Sequence, residues 1–411
     1  MKIHEPALFK AHLFLALGLY LSLLMFVWVL LTGRDTGLEA SVSGNIIKQV
    51  SGIILLVMSL FFIVFSKRIS AREVLISGWP VWLLLLYLAA SIIWSYEPNI
   101  SLRRIIALFS MALTCCVLVR VYSARSLLTL IAQTIVFVAF IGLCYALVSD
   151  KTLTFGLSDR AVGFKGIFSD KNSAARVYAY GLLLLIGLGK YKTKSDIVCI
   201  VFLACAIALS QSATAVVMVA LGTSLMFLFR AFNGKQVQHN VLRFLVLIVL
   251  LVVAAFIIAE AYEFILSVLG RDPTLTNRSI IWSLIDPLIQ NELILGYGYG
   301  AFWVSDAALP FLDRWGFIGN AHSGYREIML HGGLVGIGLL LTLIFFQLTK
   351  AAKLYVSATF TNLSSLLLMM VIVQVVVNYI AYVIINHNSF DMFLYLIVYF
   401  IIANQHKGKA I

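Results

Sequence analysis

The chain has 411 residues, 62% of them hydrophobic and only 12% charged, with a mean hydropathy of +1.01. A soluble domain carries about 25% charged residues, so this composition excludes an ordinary soluble enzyme and requires helices that face lipid and one another. The net charge of +12 would suit a nucleic-acid binder, yet no soluble basic domain exists to carry it. In a membrane protein such charge is a topology signal, and no nucleic-acid partner is expected.

About 20 apolar residues cross a bilayer. Twelve segments qualify: 10–32, 45–66, 78–94, 103–120, 126–148, 173–189, 195–210, 212–229, 241–262, 329–348, 360–385 and 389–404. The first reads as a retained span rather than a cleaved leader. All five cysteines (Cys115, Cys116, Cys144, Cys199, Cys205) lie inside apolar runs, so neither a disulfide framework nor a cysteine metal site is expected. The expected fold is all-α and polytopic: one transmembrane domain over 1–411, with a shorter external loop at 149–172 and a large external, catalytic loop at 263–328 that contains short interfacial helices.

Charge sets the orientation. With a cytoplasmic N-terminus, 17 of the 30 basic residues fall on the cytoplasmic side, against three acidic ones (Glu5, Glu73, Asp196). The other side holds 13 basic and 15 acidic residues. This asymmetry puts both termini in the cytoplasm and both long loops outside. The external segments are nonetheless rich in cations: Arg103, Arg104, Arg160, Lys165, Lys171, Arg271, Arg278, Arg314 and Arg326. Guanidinium forks match phosphate oxygens, so the set points to an anionic ligand. Any single one could instead pair with a local acid or reach lipid headgroups.

In chain order, the turn Trp94–Arg104 comes first. Pro98 and Ser101 mark a helix start there, with Arg103 and Arg104 in its first turn, where the helix dipole disfavours cations unless an anion or Glu97 offsets them. The segment 159–172 adds Arg160, Lys165 and Lys171 at the mouth of the sixth helix. In the long loop, Asn277 is a good N-cap for an amphipathic pattern (Ile281, Trp282, Leu284, Ile285, Leu288, Ile289). That predicts a surface helix with Arg278 in its first turn beside free N–H groups, an anion-binding arrangement; lipid phosphate is the other ligand it could meet. Gly296-Tyr297-Gly298-Tyr299-Gly300 reads as a flexible aromatic turn. Asn320–Glu327 leads into the tenth span, with Gly332-Gly333 as a break. His322 lies at the membrane boundary and can exchange a proton near neutral pH, or serve as a structural contact. His331 competes from deeper in the apolar run, and His387, near Asn386, Asn388 and Asp391, is a second polar contact. No Asp-x-Asp or Walker motif is present, and most span centres lack acidic residues, which argues against a nucleotide-sugar metal site and against proton-coupled transport.

The stretches WSYEPNISLRR, GIFSDKNSAAR, GRDPTLTNRSIIW, LGYGYGAF and NAHSGYREIMLHGGLVGIG together resemble the O-antigen ligase/polymerase superfamily of bacterial envelope glycan enzymes, across residues 94–338. The GRDPTLTNR form is most similar to exopolysaccharide polymerases of the ExoQ type. The resemblance implies a metal-independent, inverting glycosyltransferase that needs no cofactor. It would polymerise undecaprenyl-diphosphate-linked oligosaccharide repeats on the outer face of the bacterial cytoplasmic membrane. Arg278 and His322 match the family's loop arginine and histidine and are the catalytic candidates. Arg160 and Lys171 match its basic stretch before the sixth helix. Arg103, Arg104, Arg271, Tyr325 and Arg326 complete the candidates for contacting diphosphate or glycan. The implied partners are the lipid-linked glycan and the bilayer, with a flippase and a chain-length regulator beside them. Ligation of the glycan to lipid A core is the alternative. Against it, Ser210-Gln211-Ser212-Ala213-Thr214 stands where many ligases carry an arginine in a Ser-Arg-Gly-like turn. A transporter or flippase is the more distant rival, and its internal repeats and mid-membrane polar groups are not seen.

Overall fold

Lipid offers no hydrogen bonds, so a long apolar run satisfies its backbone only as a helix. The computed structural model describes residues 5–32, 44–149, 155–158, 161–232, 239–246, 248–249, 278–311, 319–357 and 362–404. Its helices follow the apolar runs: α1 (Glu5–Tyr20), α2 (Leu23–Thr32), α3 (Ile46–Phe65), α4 (Ala71–Ser77), α5 (Trp79–Ala90), α6 (Pro98–Val121) and α7 (Ala124–Val148). A short antiparallel hairpin follows, β1 (Phe155–Ser158) and β2 (Ala161–Phe164), pairing Phe155 with Phe164. Then come α8 (Lys171–Gly187), α9 (Lys194–Ser210), α10 (Ala213–Phe232), α11 (Arg278–Asn291), α12 (Gly324–Ser357), α13 (Asn362–Ile380) and α14 (Phe390–Asn404).

Every predicted span but the ninth coincides with one of these helices or with a bent pair; most of 241–262 lies outside the described residues. Among the described residues six helices are singly long and apolar enough to cross a membrane, or eight if each bent pair counts as one span. The bends are 67° between α1 and α2 and 84° between α4 and the α5 helix with its 3-10 extension. The first falls at Ser22, which takes a left-handed φ of +63°.

The helix starts carry local reasons. Asn45 caps α3 by accepting from the N–H groups of Ile47 and Lys48. Asp170 caps α8 through Ser173 N–H, and Thr193 with Asp196 forms a reciprocal capping box on α9. Pro98 occupies the start of α6, where its missing N–H costs nothing. Arg103 and Arg104 therefore stand in the second turn of α6 rather than its first, and the dipole penalty expected for them is smaller.

Helices α13 and α14 are buried along nearly their whole length and form the centre of the bundle. Peripheral helices turn apolar side chains outward, among them Val57 and Val64 on α3, Phe137 and Phe140 on α7, and Val216 on α10. These form the surface that lipid covers. A bidentate ion pair crosses the centre: Arg176 on α8 donates from Nε and Nη2 to the two carboxylate oxygens of Asp391 at 3.0 and 2.9 Å.

The predicted break at Gly332-Gly333 is present. Gly333 takes φ +58°, ψ −151° inside α12, which interrupts the hydrogen-bond ladder. The glycine-rich turn and the residues just before it fill the gap. Tyr297 N–H donates to Leu330 C=O at 2.7 Å, Leu334 N–H to Leu293 C=O at 2.8 Å, and Tyr87 Oη to Gly332 C=O at 2.7 Å. The same segment is tied to the α5–α6 corner by Tyr96 N–H on Tyr297 C=O (3.1 Å) and Ser101 Oγ on Tyr299 C=O (2.8 Å). Gly296, Gly298 and Gly300 all have positive φ, which lets this backbone wedge between the two layers.

Candidate active site

At the end of the bundle where these loops gather lies a cavity of about 500 Å³. Several elements wall it. The first turns of α3 supply Lys48 and Gln49, and α6 supplies Arg103 and Arg104. The start of α12 supplies Glu327 and His331, and the 382–389 loop before α14 supplies Tyr382, Asn386, His387 and Asn388. Trp303 and Asn320 enter from the long loop, and Met25, Ile53, Ile106 and Ala107 make an apolar flank between α2, α3 and α6.

A hydrogen-bonded network fixes the polar wall. Glu327, 1% exposed, accepts on Oε1 from Trp303 Nε1 at 2.9 Å and from the backbone N–H of Ala321. Its other oxygen lies 3.4 Å from His331 Nε2. Gly300 N–H donates to His331 Nδ1 (3.3 Å), which assigns the proton of a neutral His331 to Nε2. That nitrogen is 3.0 Å from Tyr382 Oη, whose own proton goes to Ile385 C=O at 2.8 Å. Tyr299 Oη also donates to Ile385 C=O (2.8 Å) and lies 3.4 Å from His387 Nδ1. Burial pushes the phenols of Tyr299 and Tyr382 above the ordinary range, so both remain protonated donors. Burial, then the charges of nearby Arg104 and Lys48, pushes His387 well below the ordinary imidazole range and keeps it neutral. Arg104 donates from Nη1 to Gly300 C=O, so the glycine-rich segment also aims this guanidinium.

The residues expected from sequence fall into distinct places. Arg103 and Arg104 line the cavity. His322 sits two residues beyond cavity-lining Asn320, whose Oδ1 accepts the His322 N–H at 2.9 Å, and takes a left-handed φ of +50°. Tyr325 donates to Val375 C=O on α13 at 2.9 Å. Arg326 forms a bidentate pair with Asp286 of α11 (2.8 and 3.1 Å) and lies 4.3 Å over the Trp282 ring, so it fastens α11 to α12. Lys171 is buried at the first turn of α8. Arg278 opens α11, as the amphipathic pattern predicts. Arg160, Arg271 and Arg314 lie outside the described residues.

Sequence reasoning overlooked Glu327, Lys48 and Tyr382. Glu327 carried a signal, since it stands four residues before His331 and therefore on the same helix face. Lys48 and Tyr382 carried none, because only the packing of distant helices brings them to one cavity. Asp391, grouped with His387 by sequence, is committed to Arg176 instead.

Residues 198–341 match the family model described as O-Antigen ligase, a stretch that runs from α9 into α12 and includes Asn320, His322, Glu327 and His331. The exopolysaccharide production protein ExoQ of Rhizobium meliloti (strain 1021) is 26% identical over 334 residues, which cover 72% of this chain and 75% of that protein. With the family-model match, the relative and the helical architecture in agreement, the chain is a multi-pass membrane protein similar to the O-antigen ligase and ExoQ-type proteins.

Proposed function

We propose that this polysaccharide-processing membrane enzyme is a glycosyltransferase that polymerises undecaprenyl-diphosphate-linked oligosaccharide repeats at the outer face of the bacterial cytoplasmic membrane. The observation that carries the reading is the make-up of one cavity. Three cations (Lys48, Arg103, Arg104) face a wall of neutral and carboxylate hydrogen-bonding groups, and an apolar flank adjoins them. A lipid diphosphate fits that division: its charge meets the cations and its first isoprene units meet Met25, Ile53 and Ile106.

The chemistry follows from the groups. An acceptor hydroxyl attacks the anomeric carbon as the bond from that carbon to the diphosphate oxygen breaks. The diphosphate leaves with the electron pair, and a single displacement inverts the configuration. Cations fixed beforehand stabilise the departing charge without a metal. In this reading Arg278 joins Arg103 and Arg104 on the diphosphate. Arg160, Lys171 and Arg271 contribute to the same positive field, and Arg326 acts by holding α11, and so Arg278, against α12. Tyr325 sets the start of α12 against α13. His322, beside the cavity, takes the acceptor's proton.

ExoQ, named for exopolysaccharide production, supports polymerisation, whereas the family model's description supports ligation. Glycan length in a deletion strain separates them. A polymerase deletion leaves single repeats on the lipid carrier, the expected result; accumulation of long lipid-linked polymer moves the assignment to a ligase. With purified enzyme, His322→Ala is expected to lower turnover by about a hundredfold while sparing donor binding. Arg278→Ala is expected to abolish activity, and Lys at that position to restore little, since the bidentate fork is lost. Turnover should persist in chelator, and loss of activity rescued by magnesium would overturn the metal-free mechanism.

A further inference from the structure

We propose that the 382–389 loop is the sugar-recognition part of this site: Asn386, His387 and Asn388 bind hydroxyl groups of an uncharged sugar, beside the cations that hold its diphosphate. This inference rests on the glycosyltransferase reading above.

The loop is held in a conformation that its residues do not favour. Ile385 takes φ +68°, unusual for a β-branched residue, and Asn388 takes φ +59°. Bonds on every side enforce it. Asn378 Oδ1 accepts from the N–H groups of Val383 and Ile384 at 3.2 and 2.9 Å. Ile385 C=O receives the Tyr299 and Tyr382 hydroxyls, and Ser389 Oγ accepts from Met392 N–H at the start of α14 (3.1 Å). The outcome is three consecutive polar residues lining the cavity. Backbone strain kept in place by surrounding structure is a mark of functional segments.

The side chains so presented suit hydroxyls rather than charges. The Asn388 amide has no hydrogen-bond partner among the described residues. Asn386 spends one N–H on Tyr382 C=O (3.1 Å), which leaves its carbonyl oxygen. His387 is neutral; Tyr299, having given its proton to Ile385, can accept from Nδ1–H, which leaves Nε2 as an acceptor. Amide and neutral imidazole each donate and accept, as a sugar hydroxyl does. An anionic group would be drawn instead to Lys48, Arg103 and Arg104. Those cations line the same cavity as His387, so diphosphate and sugar would be neighbours, as the scissile bond demands.

The test uses the full-length protein in lipid nanodiscs and two ligands: undecaprenyl diphosphate without sugar, and the lipid-linked repeat isolated from the source strain. Wild type is expected to bind the glycosylated ligand more tightly. Asn388→Gly tolerates the positive φ while removing the amide, and should weaken the glycosylated ligand by about tenfold with bare diphosphate unchanged. His387→Gln should act in the same direction and carries the test if Asn388→Gly does not fold. Arg103→Ala should weaken both ligands alike. The proposal is overturned if the loop variants keep the sugar-dependent gain, or if they weaken both ligands equally. A wild type that binds both ligands with no gain from sugar sinks the subsite alone; one that binds neither sinks the glycosyltransferase reading as well.

Discussion

Glu327 shows how much one buried carboxylate can arrange. One oxygen gathers Trp303 and the backbone of Ala321, the residue just before His322, and the other faces His331. Glu327→Gln preserves the first pair of contacts but can turn amide hydrogens toward the His331 Nε2–H. Folding should therefore survive while turnover drops. Glu327→Ala strands two buried donors at about 1–3 kcal/mol each, so its thermal unfolding should shift down as well. Paired measurement of melting and turnover distinguishes these outcomes; a Gln variant with wild-type turnover would show that the oxygen facing His331 plays no part. His322 follows directly on Ala321, which this carboxylate holds, while its own N–H is held locally by Asn320 Oδ1, so its left-handed backbone is fixed from both sides.

At the scale of elements, the wedge between α12 and the α5–α6 corner makes a sharp prediction about glycines. A Cβ on Gly296 would lie 2.7 Å from both Gly332 N and Leu330 O, at φ +67°. Gly296→Ala is therefore expected to cost at least about 1–3 kcal/mol. Gly338, five residues beyond the break in the same helix, has nothing within 4 Å of its added Cβ. Gly338→Ala should gain up to about 1 kcal/mol from helix propensity. Comparison of the two melting temperatures in detergent checks both. The wedge also explains what the sequence could and could not disclose. Two adjacent glycines in an apolar run announce the break in α12, and the spacing in 278–289 announces α11. The filling of the break by 293–297 has no side-chain signature, because backbone bonds to backbone there. Neither bend was anticipated: the one at Gly78 has a glycine and Pro80 at its corner, whereas the one at Ser22 has neither residue there. The cavity cations on α6 were readable as cations in a turn; their meeting with Lys48 and the 382–389 loop required contacts across hundreds of residues.

For the whole molecule, orientation is the property that assigns the cavity to one face of the membrane, and charge distribution supports placing it outside the cytoplasm. Single cysteines at exposed Asp306 and Lys192 test this in a background without reactive native thiols. An impermeant maleimide should label the first in intact spheroplasts and the second only after permeabilisation; the reverse pattern would invert the assignment. The break in α12 also bears on the order in which the protein is made. Its stranded backbone groups meet Tyr87 and residues 293–297, all of which precede α12 along the chain. A ribosome therefore delivers every partner of the break before the break itself, and α12 need not wait in lipid with bare peptide groups exposed. A circularly permuted gene starting at residue 319 would reverse that order, and its product should insert poorly even though every native contact remains available to it.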